Sequence, residues 1–304
     1  VFVIEADESD GSFLQYPAQV VVITNVEADH LDNWGTAEAY AAGFARLASG
    51  DSVTMVVISS DDPGAVRLTA SLRAAGVSVL TFGESEGADV RISEIGHQGL
   101  GATATLSGPT DAGPIALAVP GRYNLHNAAA AYAVGISLGL PGPVLRAAAA
   151  EFAGTNRRFQ PVAEVGGVRI FDDYAHHPTE VAATLTAARE LVGDGRLVAC
   201  FQPHLFTRTR DFAAEFGRSL GLADLVVVCG IYPAREDPLP GITGELVASA
   251  VADPQRVSYV ERIGDAAALL AQLVIPGDLV VTIGAGDVTA VGPQLAALLR
   301  EGRR

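Results

Sequence analysis

The fold is decided by Phe171-Asp172-Asp173-Tyr174-Ala175-His176-His177-Pro178-Thr179-Glu180. It begins as the tail of an apolar run (Val168, Ile170, Phe171), then presents two carboxylates, a phenol and two imidazoles before a helix that starts at Pro178. Proline suits a first helical turn, where the amide it lacks has no intrahelical partner. A buried strand that passes into a helix through clustered titratable groups reads as part of an open α/β sheet. In such sheets ligands bind outside the carboxyl ends of the strands. Helix capping accounts for one or two of Asp172, Asp173 and Thr179. It does not account for Tyr174, His176 and His177 in the same turn.

Downstream, strand-like runs recur at 197–201, 225–229, 257–260 and 279–283, with helices beginning at Pro178, Arg210, Thr243, Gly264 and Asp287. Upstream, Val1 to Ile4, Val20 to Thr24, Val53 to Ile58 and Val77 to Phe82 read as strands, alternating with helices over 36–47 and 63–75. This β-α-β alternation predicts a mostly parallel sheet. Residues 89–119 are rich in Gly and Thr with short alternating segments, which predicts a small antiparallel β subdomain, followed by helices over 125–138 and 142–152. Gly154 to Phe159 reads as a hinge. The expected organisation is an α/β domain over 1–156 and a second, Rossmann-like α/β domain over 157–304. The abrupt apolar start at Val1, without Met, predicts a chain cut from a longer protein.

The chain has 304 residues, is 49% hydrophobic and carries a net charge of −15. All 20 basic residues are arginine. Such acidity argues against nucleic acid or an anionic membrane as a partner. With no lysine, a P-loop (G-x-x-x-x-G-K-[ST]) is not in this sequence. No apolar run approaches the ~20 residues that span a bilayer. Cys200 and Cys229 lie in apolar runs and read as buried reduced thiols of a cytoplasmic protein.

Glu5-Ala6-Asp7-Glu8-Ser9-Asp10 sets four carboxylates at the end of the first expected strand. They repel one another unless a cation or donors intervene, and Mg²⁺ takes oxygen ligands of this kind. Asn25-Val26-Glu27-Ala28-Asp29-His30 ends the second strand similarly, so His30 beside Glu5 is a candidate ligand. Asn124, in Gly121-Arg122-Tyr123-Asn124-Leu125-His126-Asn127, suits a helix N-cap; its amide can also donate to and accept from an adenine edge at once. After the strand at 197–201, Gln202-Pro203-His204 and Arg208-Thr209-Arg210 supply cationic groups for a carboxylate or phosphate. Gly284-Ala285-Gly286-Asp287 lacks the third glycine of a dinucleotide fingerprint, since position 289 is Thr, and reads as a close strand-to-helix turn.

In this order, these motifs together with Arg157-Arg158-Phe159 resemble those of the Mur ligases, over essentially the whole chain. The resemblance implies the central ATPase domain from after its P-loop, N-terminally truncated, followed by the C-terminal Rossmann-like domain. The branch most similar joins L-alanine to the carboxylate of UDP-N-acetylmuramate with ATP and Mg²⁺, through an acyl phosphate, in peptidoglycan precursor synthesis. By the same resemblance Glu5 and His30 match magnesium ligands, and Asn124 matches an adenine contact. Arg158 matches a phosphate contact, and Asp173 and Tyr174 match nucleotide and substrate contacts. His176 stands where a cation stabilises the transferring phosphoryl group, and His204 with Arg208 where the carboxylates of muramate and alanine are held. The sequence departs from the family at Tyr123, where His is usual, and at Leu205, where Arg is common. Lacking the P-loop and the UDP-binding domain, the chain by itself is expected to be inactive. The alternatives are a recycling ligase that attaches a ready-made tripeptide, a nucleotide-binding module without catalysis and, least supported, an NAD oxidoreductase.

Overall fold

Strands that are apolar at every position must be covered on both faces, and such strands occur on both sides of the expected hinge. The computed structural model describes residues 1–302 and divides them into unit 1 (1–118 and 122–152) and unit 2 (119–121 and from 153 onward).

Unit 1 runs β1 (Val20–Ile23), α1 (Leu31–Trp34), α2 (Ala37–Ala48), β2 (Met55–Ser59), α3 (Pro63–Ala74), β3 (Val79–Gly83), β4 (Val90–Gln98), β5 (Gly101–Ser107), β6 (Ala112–Ala116), α4 (Arg122–Ser137) and α5 (Gly142–Ala150). The sheet order is β1-β2-β3-β4-β5-β6, parallel from β1 to β4 and antiparallel from β4 to β6. The expected antiparallel subdomain is therefore continuous with the parallel sheet, joined where Phe82 pairs with Val90. Asp62 starts α3 as its N-cap, accepting from the Ala65 amide at 2.7 Å, and also accepts from the Val26 amide at 2.9 Å. One carboxylate thus ties the exits of β1 and β2 together.

The strand expected at Val1 to Ile4 is not formed, and these residues are 103, 88, 86 and 45% exposed. An apolar run becomes a strand only when its amides find a partner strand, and among the described residues this run has none.

Unit 2 runs β7 (Gln160–Val165), β8 (Val168–Asp173), α6 (Pro178–Val192), β9 (Leu197–Phe201), α7 (Phe206–Leu220), β10 (Leu225–Cys229), α8 (Glu245–Ala248), β11 (Val257–Val260), α9 (Ile263–Leu273), β12 (Leu279–Ile283) and α10 (Val291–Glu301). The order is β11-β10-β9-β12-β8-β7, parallel except for β7 against β8. Alternate strand residues face opposite layers. Ala199, Phe201, Val226, Val228 and Val281 pack with Val181, Leu185 and Phe216 of α6 and α7. Val198, Cys200, Val227 and Val280 pack with Leu270 and Leu295 of α9 and α10. The thiols of Cys200 and Cys229, far apart in sequence, lie 3.9 Å from each other on neighbouring strands.

β7 escapes a reading based on apolar alternation because it holds Gln160, Pro161 and Glu164; a proline is tolerated at a sheet edge with a bulge, as here. α7 begins at Phe206 rather than Arg210, which brings Arg208 and Thr209 into its first turn. The lateral order of the strands reverses where the chain returns from β11 to set β12 between β8 and β9, and the exits of β8, β9 and β12 surround that switch point.

Candidate functional site

At the exit of β8, two adjacent carboxylates are each 2% exposed. Asp172 accepts from Thr282 Oγ1 at 2.6 Å, Thr289 Oγ1 at 2.8 Å and Arg157 Nε at 3.3 Å. Asp173 accepts from the backbone amides of Phe159 and Ala175, both at 2.8 Å. Burial pushes the Asp173 carboxyl up to about 6 despite those amides. Both side chains face inward and shape the loop, so Asp173 is not presented as a ligand contact in this arrangement.

The same carboxylates sort the two arginines. Arg157, held at φ 59°, also donates to the Gly284 and Gly286 carbonyls at 2.6 and 3.2 Å. Arg158 has a side chain 47% exposed and lies 3.8 Å from Glu180. Arg157 is engaged in the fold, and Arg158 is presented at the surface. Both guanidinium groups lie over the Tyr174 ring, at 4.8 and 5.8 Å from its centroid.

The two imidazoles divide in the same way. His177 is the N-cap of α6, accepting from the Thr179 amide at 3.4 Å while Glu180 accepts from the His177 amide at 3.2 Å. Capping therefore does explain His177, through a residue type rarely used for it. His176 instead contacts the Tyr174 ring at 5.2 Å and the His204 ring at 5.9 Å.

His204 stands at the exit of β9, stacked on Tyr232 at 5.9 Å and bridged to it through the backbone. Burial, with help from His176 and Arg208, pushes the His204 imidazole down to about 4. At neutral pH it is an uncharged acceptor, and its Nδ1 lies 3.4 Å from Arg208 Nη1. The chain enters α7 through Leu205 at φ 67°, a conformation a branched side chain resists. That turn is held by Glu236, which accepts from the Thr207 amide at 3.0 Å and from the Thr207 hydroxyl. Tyr174, His176, His204 and Arg208, all expected from sequence, thus come together. Tyr232 and Glu236 were missed, although Tyr232 follows directly on β10 and the strand-end rule that found His176 applies to it.

The glycines after β12 serve packing. A Cβ on Gly284 would meet the Gln202 carbonyl at 2.7 Å, and one on Gly286 would meet the Tyr232 ring at 2.6 Å. Gln202 bridges the two exits, donating to Asp287 at 2.6 Å and accepting from the Val288 amide at 3.0 Å.

In unit 1 the acidic block folds as a loop. The Glu8 carbonyl accepts from the Trp34 indole at 2.9 Å, and Phe13 packs edge-on against Trp34 and Phe44. The carboxylates beside His30 Nε2 are Glu8 and Asp29, both at 3.5 Å. Glu5 is exposed, on the segment that forms no strand. Burial, together with Glu8, Asp29 and Glu27, drives the Tyr40 phenol well above its usual range, so acidic groups do converge around this turn.

A second cluster escaped the sequence reading. Asp61, Glu84 and His126 place donor atoms within 4.8 Å of one another at the exits of β2 and β3 and near the start of α4. His126 Nδ1 faces Asp61 at 3.7 Å and its Nε2 faces Glu84 at 2.8 Å, while Arg122 pairs with Glu84. The imidazole bridges the two carboxylates through opposite nitrogens and so forms an internal clasp.

Two family models match the chain: "Mur ligase middle domain" over residues 1–135 and "Mur ligase, glutamate ligase domain" over residues 157–286. A Cutibacterium acnes protein named UDP-N-acetylmuramate–L-alanine ligase is 60% identical over 302 residues, covering 98% of this chain and 64% of that protein. The Kineococcus radiotolerans protein of the same name is 52% identical over 305 residues, covering 99% of this chain and 64% of that protein. The crystal structure of UDP-N-acetylmuramate-alanine ligase MurC from Thermotoga maritima superposes with a TM-score of 0.77 at 25% identity, covering 97% of this chain and 63% of that one. The chain therefore spans about 64% of the length of these curated relatives.

Proposed function

This chain belongs to the Mur ligase family, and on that premise we propose that it serves the ATP-dependent joining of L-alanine to the carboxylate of UDP-N-acetylmuramate in peptidoglycan precursor synthesis. The observation that carries this reading is the kinship, over nearly the whole chain, with relatives named for that reaction. The cluster at the exits of β8 and β9 has the chemistry the reaction asks for.

A carboxylate oxygen attacks the γ-phosphorus of ATP, ADP leaves, and an acyl phosphate forms. The amine of L-alanine then attacks the acyl carbon, the bond from that carbon to the phosphate oxygen breaks, and phosphate leaves with the proton the amine gives up, so that an amide remains. The first step needs neutralised charge and alignment more than covalent help. Arg158 supplies a planar cation for phosphate oxygens, and His176 supplies a donor for the phosphoryl group in transfer. Arg208, oriented by neutral His204, suits the carboxylates of the muramate and of L-alanine. Tyr174 orders the two arginines. Asp173 acts through the loop it fixes. Asn124 takes the adenine edge.

Carboxylates and an imidazole around His30 form a donor set suited to a hard divalent cation, so we assign Mg²⁺ to Glu5 and His30, with Glu8 and Asp29 adjoining. Bound there, the ion would offset phosphate charge. We place the protein in the cytoplasm, with neither membrane nor nucleic acid as partner; among the described residues no helix is long and apolar enough to cross a membrane.

The test is ADP release by the chain extended upstream through its P-loop, given UDP-N-acetylmuramate and either L-alanine or the tripeptide. Release that depends on L-alanine supports the proposal. Release only with tripeptide assigns the chain to recycling, and no release with either overturns the catalytic reading.

A further inference from the structure

If Asn124 reads the base of ATP, the roll of α4 about its own axis decides where that amide points. Arg122 and His126 are four residues apart and share one face of the helix. Asn124, two residues from each, lies about 200° around the axis from both. Glu84 grips that opposite face. It accepts from Arg122 Nε and Nη2 and stands 2.8 Å from His126 Nε2.

Glu84 is itself fixed from below. Asp61, at the exit of β2, accepts from the Glu84 amide at 2.7 Å, the Ser85 amide at 3.0 Å and the Ser85 hydroxyl at 2.6 Å. The approach is possible because position 83 is glycine at φ 153°; a Cβ there would lie 2.3 Å from Ser60 Oγ and 2.4 Å from Asp61 Oδ2. Burial works to raise both carboxyls, but these hydrogen bonds, and those from Arg122 and His126 to Glu84, outweigh it and hold both groups below their usual range. The exits of β2 and β3 and the start of α4 are thereby locked together through ionised groups.

We propose that Glu84 is the positioning residue for nucleotide-base recognition, setting the roll of α4, and hence the direction of Asn124, through Arg122 and His126. It does not itself touch the nucleotide. This rests on the assignment of the base contact to Asn124.

The test is a double-mutant cycle in the chain extended upstream, reading the KM for ATP and kcat for wild type, Glu84→Ala, Asn124→Ala and the double variant. Exposed Glu86→Ala serves as the control. Glu84→Ala should raise the KM for ATP about 10-fold, the order of losing one charge-assisted hydrogen bond, with kcat and the KM for UDP-N-acetylmuramate within about 2-fold. In the Asn124→Ala background the same change should add less than about 2-fold, because the residue it positions is gone. A full, additive 10-fold in that background would overturn the proposal while leaving the Asn124 contact standing. An unchanged KM for Asn124→Ala would overturn the base contact and the proposal together. Should Glu84→Ala fail to fold, Glu84→Gln carries the same cycle with an expected rise of about 3-fold.

Discussion

His204 is set to remain uncharged far below the usual range of histidine, and that can be read directly. The imidazole is partly buried between Tyr232 and His176, with a guanidinium 3.4 Å from Nδ1, and its titration moves from 6.5 down to about 4. At about 1.4 kcal/mol per pH unit, this separates the two protonation states by about 3 kcal/mol; screening at a partly exposed ring reduces its effect on stability to about 1–2 kcal/mol. The sign follows from proton uptake. Between about pH 4 and 6.5 the unfolded chain binds the proton and the folded one does not, so stability rises with pH across that window and is fully present above it. With only six histidines in the chain, ¹³C-labelled imidazole NMR resolves the titration, and His204→Gln assigns the resonance. A midpoint near 4 is expected. Arg208→Ala should raise it only in part, because burial is the larger cause. A midpoint near 6.5 would refute the reasoning and leave Arg208 facing a cation whenever the pH falls below that value.

The neighbouring Asp173 has the opposite slope. Its folded carboxyl, raised to about 6 by burial, contributes stability that is complete below about pH 4 and lost as pH rises through 6; thermal midpoints of wild type minus Asp173→Asn should fall across that window, and a flat difference would count against it. Asp172→Ala leaves two threonine hydroxyls and Arg157 without their shared acceptor and should cost about 3–5 kcal/mol in urea unfolding, whereas a loss below about 1 kcal/mol would mean the network is not stabilising. Glu5→Ala in the upstream-extended chain should raise the Mg²⁺ concentration needed for ATP turnover, and near-normal turnover would remove Glu5 from the metal role. If Glu8→Ala alone does so, the assignment moves to the carboxylate already beside His30.

The sequence was most legible where burial is two-sided. Leu197–Phe201 and Leu225–Cys229 are apolar without interruption, and Leu279–Ile283 is apolar but for Thr282, because helices cover both their faces. The site was legible for the same reason, since polar groups directly after such strands fall at one edge of the sheet. Illegible were features set by tertiary contact. Val1 to Ile4 has strand composition but no partner strand, and β7 has a partner strand but not the composition. The different duties of His176 and His177, and of Arg157 and Arg158, depend on which side of the loop each neighbour faces. The Asp61–Glu84–His126 clasp joins residues from three elements, and only Gly83, which allows the approach, hinted at it.

The measurement that bears most directly on the central claim uses UDP-N-acetylmuramate labelled with ¹⁸O in its carboxylate, turned over by the upstream-extended chain with ATP and L-alanine. Carboxylate attack on the γ-phosphorus moves one labelled oxygen into the phosphate released when the amide forms. Mass spectrometry should therefore find one ¹⁸O in each phosphate together with the alanyl product. Phosphate without label would contradict activation of the carboxylate, and with it the chemistry assigned to Arg158, His176 and Arg208.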